Sequence, residues 1–126
     1  MGMYTELHYN VELRKDVPAQ VLATLRYMLG GYDQPETKCD HPLFTTDRWA
    51  VMLRMSSAYF PARTHSELFE RDYRWYLGVR CNLKNYGGEI ELFTEWLDPY
   101  VEAFKGDFLG FSRYEESEDP VIIRKL

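Results

Sequence analysis

Apolar and polar side chains alternate between residues 73 and 84, and few features constrain a fold more tightly. Trp75, Leu77, Val79, Cys81 and Leu83 fall on one side, and Arg74, Tyr76, Arg80 and Lys84 on the other. A period of two over that length specifies a strand, here over 73–83, with one face packed and the other wet. Residues 6–14 repeat the pattern, with Leu7, Tyr9, Val11 and Leu13 opposite Glu6, His8, Asn10, Glu12 and Arg14. Half-buried strands belong to antiparallel sheets covered on one side only.

The covering layer is legible too. Asp16 is placed to cap a helix with Pro18 in its first turn, and Val21, Leu22, Leu25, Met28 and Leu29 recur at helical spacing until Gly30-Gly31. Ile90, Phe93, Leu97, Val101 and Phe104 mark a second amphipathic helix, which Pro99 is expected to kink. Further strands are expected at residues 57–60 and 67–70, the latter turning at Arg71-Asp72. A final hairpin is expected from 108–115 and 121–124. Residues 46–53 suit a short helix or a strand, with helix preferred, and residues 32–42 read as a surface loop. These elements imply one α+β domain over 1–126, a single antiparallel sheet of five to six strands with two main helices on one face.

With 126 residues the chain has room for one core. Ten Tyr, seven Phe and three Trp exceed what such a core hides, so aromatic side chains are expected on a surface that something covers, self-association being one way. Cys39 and Cys81 form no paired framework, and neither an export signal nor a span-length apolar run is visible. Gly2 is followed by Glu6 where a myristoylation site wants Ser or Thr. A cytoplasmic protein is expected.

Charge is unevenly distributed. Residues 48–84 hold Arg48, Arg54, Arg63, Arg71, Arg74, Arg80 and Lys84 against Glu67, Glu70 and Asp72, a net +4 in a chain of net charge −5. Guanidinium groups suit phosphate and carboxylate, and Tyr59, Phe60, Tyr73, Trp75 and Tyr76 lie among them. This points to a small anionic ligand such as a nucleotide, with Arg54, Arg74 and Arg80 on phosphate and Tyr59 and Tyr76 stacking on a base. The plainer reading is a solvated strand face paired with the protein's own acidic helix. The net negative charge disfavours long duplex nucleic acid.

Other constellations are weaker. Cys39, Asp40, His41, His65 and Cys81 match no zinc spacing, Cys39 with His65 makes a poor nucleophile and base, and Ser56-Ser57 and Gly87-Gly88 lack the turns that activate a serine or cradle a phosphate. Four carboxylates at 115–119 lack the spacing of a calcium loop. No catalytic residue, metal or cofactor is therefore expected, and the chain reads as non-enzymatic. Glu91, Glu95, Asp98 and Glu102 form an acidic stripe that suits docking on a basic groove of a host protein.

The segments Met-Gly-Met-Tyr-Thr-Glu-Leu at 1–7, Asp47-Arg48-Trp49, Met52-Leu53-Arg54, Ser56-Ser57-Ala58-Tyr59-Phe60, Leu83-Lys84-Asn85-Tyr86, Glu89-Ile90-Glu91-Leu92-Phe93 and Trp96-Leu97-Asp98-Pro99-Tyr100, with Tyr114-Glu115-Glu116 and Asp119-Pro120, resemble a group of small phage and prophage proteins. The resemblance spans most of the chain and supplies no catalytic residue. It implies a binding protein acting on a host process, either sequestering a nucleotide signal as a counter-defence protein or inhibiting a host defence or nucleic-acid enzyme. A small hydrolase is the remaining alternative.

Overall fold

In the computed structural model, which describes residues 3–36 and 39–126, the chain forms one five-stranded antiparallel sheet and two α-helices. The strands are β1 (Thr5–Glu12), β2 (Glu67–Arg71), β3 (Arg74–Leu83), β4 (Phe108–Tyr114) and β5 (Val121–Arg124), in the spatial order β2-β3-β1-β4-β5. Helices α1 (Ala19–Met28) and α2 (Glu89–Leu97) lie on the same face.

The two alternating stretches pair with each other. Leu7, Tyr9 and Val11 lie opposite Cys81, Val79 and Leu77. Directly opposed residues of antiparallel strands share a face, so both apolar rows enter one core. Val21, Leu25 and Met28 of α1 and Ile90, Phe93 and Leu97 of α2 complete it, and the Tyr9 ring meets Phe93 edge to face at 6.0 Å.

Several expectations are corrected. Helix α1 is entered through Pro18 with no side-chain cap, so Asp16 does not cap it; its carboxylate instead pairs with Arg14. Gly30, at φ 104°, and Gly31 end the helix, and the Gly31 amide bonds back to the Arg26 carbonyl. Pro99 terminates α2 rather than kinking it: the α-helix stops at Leu97, a single 3₁₀ turn follows at Asp98–Tyr100, and Phe104 is 85% exposed. The preferred helix at 46–53 is only a 3₁₀ turn at Met52–Arg54, and residues 57–60 form turns, not a strand. The β2-β3 hairpin turns on Asp72-Tyr73, both at positive φ, one residue later than expected.

The exposed aromatics are present, with Tyr32, Tyr59, Tyr73, Tyr86, Phe104 and Phe108 all on the surface. Among the described residues no helix is long and apolar enough to cross a membrane. Gly2 and part of the 32–42 loop, Thr37 and Lys38, lie outside the described residues.

Candidate anion-binding site

The helices pack on one face of the sheet, and the other carries the polar halves of both alternating strands, half-buried along most of their length, with Asn82 buried and Asn10 and Arg80 exposed. Arg74, Tyr76 and Arg80 of β3 are on it, joined by Glu6, His8, Asn10 and Glu12 of β1. Register then sets one row across the sheet. His8 lies opposite Arg80 on one side and Phe111 on the other, and Phe111 lies opposite Ile122. On the far edge His65 exchanges two backbone hydrogen bonds with Arg80, of 2.8 and 3.0 Å. The row thus reads His65, Arg80, His8, Phe111, Ile122.

A cavity of about 230 Å³ opens within this face, lined by His8, Asn10, His65, Glu67, Gly78 and Arg80. Gly78 sits between Asn10 and Glu67, its cross-strand partners, and lacks the side chain that would fill the floor. A glycine inside a strand marks a place where something approaches the backbone closely.

The polar groups are held in place. His8 Nε2 bonds Glu6 Oε1 at 2.9 Å, and the ring stacks on Phe111 at 4.6 Å and 12°. Glu6 is neutralised on its other oxygen, which accepts from Arg113 Nη2 at 2.6 Å. His65 Nε2 stands 3.6 Å from Glu67 Oε2. Arg80 donates through Nε to the Arg63 carbonyl at 2.7 Å, which orients the guanidinium. Among the described residues no carboxylate lies within ion-pair distance of it. Its Nη donors are available to an anion.

The five residues singled out from sequence separate into two groups. Arg74, Tyr76 and Arg80 share this face, but Arg74 is 3.6 Å from Glu12, and the Tyr76 hydroxyl donates to Glu12 at 3.1 Å. The Tyr76 ring is stacked on Phe69 and covered by Arg71. These two are engaged within the protein, though with Glu12 of β1 and not with the acidic helix that the plainer reading named; Arg80 has no carboxylate partner among the described residues. Arg54 lies with the helical layer, its Nε donating to the Met28 carbonyl at 3.2 Å and its stem lying against Gly30, so it caps the C-terminus of α1. Tyr59, in the loop before His65, is 60% exposed beside Tyr4.

His8, His65, Asn10 and Gly78 escaped the sequence reading as site residues. A usable signal was present in Gly78, the lone glycine inside the longest alternating run.

The other constellations come apart. Cys81 is buried in the core, and burial pushes its thiol up to about 12. Cys39 contacts Thr24 on the helical side at 3.6 Å, while His65 stands on the opposite face of the sheet. His41 Nδ1 accepts from the Leu43 amide and caps a 3₁₀ turn at Pro42–Thr45. Among the described residues no three His, Cys, Asp or Glu side chains converge as a metal set. The acidic stripe is interrupted: Asp98 is buried and bound to Lys125 Nζ at 2.8 Å, and Glu102 lies beyond the end of α2.

Three clefts are larger: two, of about 520 and 430 Å³, flank the end of α2 and share Glu95 and Asp98, and one of about 450 Å³ lies between α1 and Pro35-Glu36. Their carboxylates disfavour an anion, so volume does not decide the site; the exposed guanidinium does. No protein-family model, curated protein or solved structure matches the chain.

Proposed function

We propose that this protein binds a small anionic ligand, a nucleotide in particular, on the face of its sheet away from the helices. One observation carries the reading: Arg80, without a carboxylate partner among the described residues, stands between two histidines over a glycine floor. Phosphate sits on the Arg80 Nη donors, with Asn10 and the imidazoles at its sides. The strip of Phe111 and half-exposed Ile122 continues the same row and offers an apolar surface to a base. Arg74 and Tyr76 support the site by occupying Glu12, which would otherwise face the ligand as a free negative charge.

The resemblance to small phage proteins supports a counter-defence role in the host cytoplasm, sequestering a nucleotide signal. Exposed Phe108 and Val121 beside the β5 edge support a homo-oligomer. Inhibition through the acidic helix is the weaker reading, because the buried pairing of Asp98 breaks its charge stripe.

Isothermal titration with ADP, pyrophosphate and adenosine tests the proposal. ADP is expected to bind with micromolar affinity, pyrophosphate more weakly and adenosine not at all. Arg80→Ala should weaken ADP by at least about tenfold, roughly 1.4 kcal/mol. Arg54→Ala should leave ADP affinity unchanged. Unchanged affinity in Arg80→Ala overturns the reading.

A further inference from the structure

We infer that the same pocket cleaves ribonucleotide phosphodiesters, with His8 and His65 acting as general base and general acid on either side of Arg80. The inference rests on the anion reading above and goes one step past it, from holding a phosphate to breaking one of its ester bonds.

Both backbone groups of Arg80 point to His65, so Arg80 and His65 form a hydrogen-bonded pair, and Arg80 and His8 the closer, non-hydrogen-bonded kind. Those two spacings put the histidine Cα atoms roughly 10 Å apart, with Arg80 between them in the row and all three side chains on one face, the guanidinium being held through Nε by the Arg63 carbonyl. An in-line displacement at phosphorus needs a base at the attacking oxygen and an acid at the departing one, on opposite sides of the phosphate. Two hydrogen bonds and a near-attack oxygen–phosphorus–oxygen axis also span roughly 10 Å. That span lies between the two ring nitrogens, and imidazoles standing parallel above backbones at this spacing would keep it.

Each imidazole has a carboxylate behind it. The hydrogen bond that His8 Nε2 donates to Glu6 keeps the proton on Nε2 and leaves the Nδ1 lone pair as the base. Glu67 Oε2 stands 3.6 Å from His65 Nε2, on the ring assigned as the acid. Arg80 neutralises the charge that grows on the equatorial oxygens. The glycine floor admits the phosphate close to the strand.

The substrate class follows from what the pocket lacks. It contains no serine or cysteine nucleophile among its lining residues, which leaves water or a group of the substrate itself, and the proposal commits to the latter. A ribose 2′-hydroxyl next to a 3′,5′ diester is such a group. Its oxygen attacks phosphorus as the proton passes to His8, the bond from phosphorus to O5′ breaks, and His65 donates a proton to O5′. The products are a 2′,3′-cyclic phosphate and a free 5′-hydroxyl, with no further reactant consumed.

The test incubates the protein with UpA and, separately, with a 3′,5′-linked cyclic dinucleotide, and reads products by mass spectrometry. A 2′,3′-cyclic phosphate terminus is expected from at least one; the first arm reports linear RNA and the second a cyclic signal. The 2′-deoxy analogue should bind without being cleaved. His8→Gln and His65→Gln should each slow cleavage by about 10²–10⁴-fold, with affinity for the deoxy analogue within about tenfold and an unchanged melting temperature. Binding of the ribose substrates without cleavage overturns the inference and leaves the binding reading standing. Absence of binding to ribose and deoxy forms alike overturns both. Cleavage that persists in the doubly substituted protein also overturns the inference.

Discussion

Replacing Gly78 should separate the fold from the site. A Cβ built at this position meets Asn10 Oδ1 at 3.3 Å and Glu67 Cγ at 4.0 Å, and nothing nearer. Asn10 is exposed and can move by the few tenths of an ångström required. The backbone of Gly78 is not at positive φ, so a side chain adds no strain, and Ala loses less conformational freedom on folding than Gly. Gly78→Ala should therefore change stability by between zero and about +1 kcal/mol, a rise in melting temperature of up to roughly 5 °C. Gly78→Val adds the β-branch that strands favour and should fold as well. Both fill the floor of the cavity where phosphate is proposed to rest. Denaturant unfolding followed by isothermal titration with ADP measures the two effects on the same samples. Affinity should fall in the order Gly, Ala, Val, by at least about tenfold for Val. A folded Gly78→Val protein with undiminished ADP affinity refutes the placement of the ligand over this strand.

The same substitution at Gly110 should have the opposite effect on the fold, because its Cβ would land on the His8 carbonyl of the neighbouring strand. Gly110→Ala should cost at least about 3 kcal/mol by urea unfolding, beyond the range of ordinary surface changes. Asp98→Ala should cost about 3 kcal/mol in the same assay, since Lys125 Nζ would keep its charge in a largely buried position and the Leu126 amide would lose its acceptor. Native Cys81 should resist alkylation at pH 8 while Cys39 reacts, because burial raises the Cys81 thiol from 9.0 to about 12. The folded protein holds that proton above pH 9 where the unfolded chain releases it, so stability is full below pH 9 and falls up to about pH 12. The slope rises from about 0.7 kcal/mol per pH unit at pH 9 towards about 1.4, so Cys81→Ala should remove about 1 kcal/mol of the loss measured between pH 9 and 10.

Much of the fold is readable because one face of the sheet is buried. A one-residue slip of β1 or β3 would turn Leu7, Tyr9, Val79 and Cys81 to water, so period-two patterning determines both strands and their pairing. The helical stripes are equally plain up to Pro99, whose missing N–H and ring end α2. Residues 46–60 resist such reading because tertiary bonds hold them: the Met55 carbonyl accepts from the Asn82 amide and from Thr64 Oγ1. No local pattern encodes those partners. The left-handed Tyr73 at the β2-β3 turn is likewise invisible, since its residue type disfavours the conformation it adopts.

The site was half legible. Patterning put Arg74, Tyr76 and Arg80 on one wet face, and the concentration of arginine drew attention there. It could not tell that Glu12 occupies the first two, or that Arg54 sits at the end of α1. His8 and His65 lie 57 positions apart in the chain and meet only through β3, so their convergence depends on the register of three strands.

Amide chemical-shift mapping during titration of the ¹⁵N-labelled protein with ADP tests the central claim most directly. Perturbations are expected to concentrate on His8, Asn10, His65, Gly78 and Arg80, and to extend to Phe111 and Ile122. Shifts confined to the end of α1 around Arg54, or to Glu91, Thr94, Glu95 and Asp98 in the clefts beside α2, would contradict it.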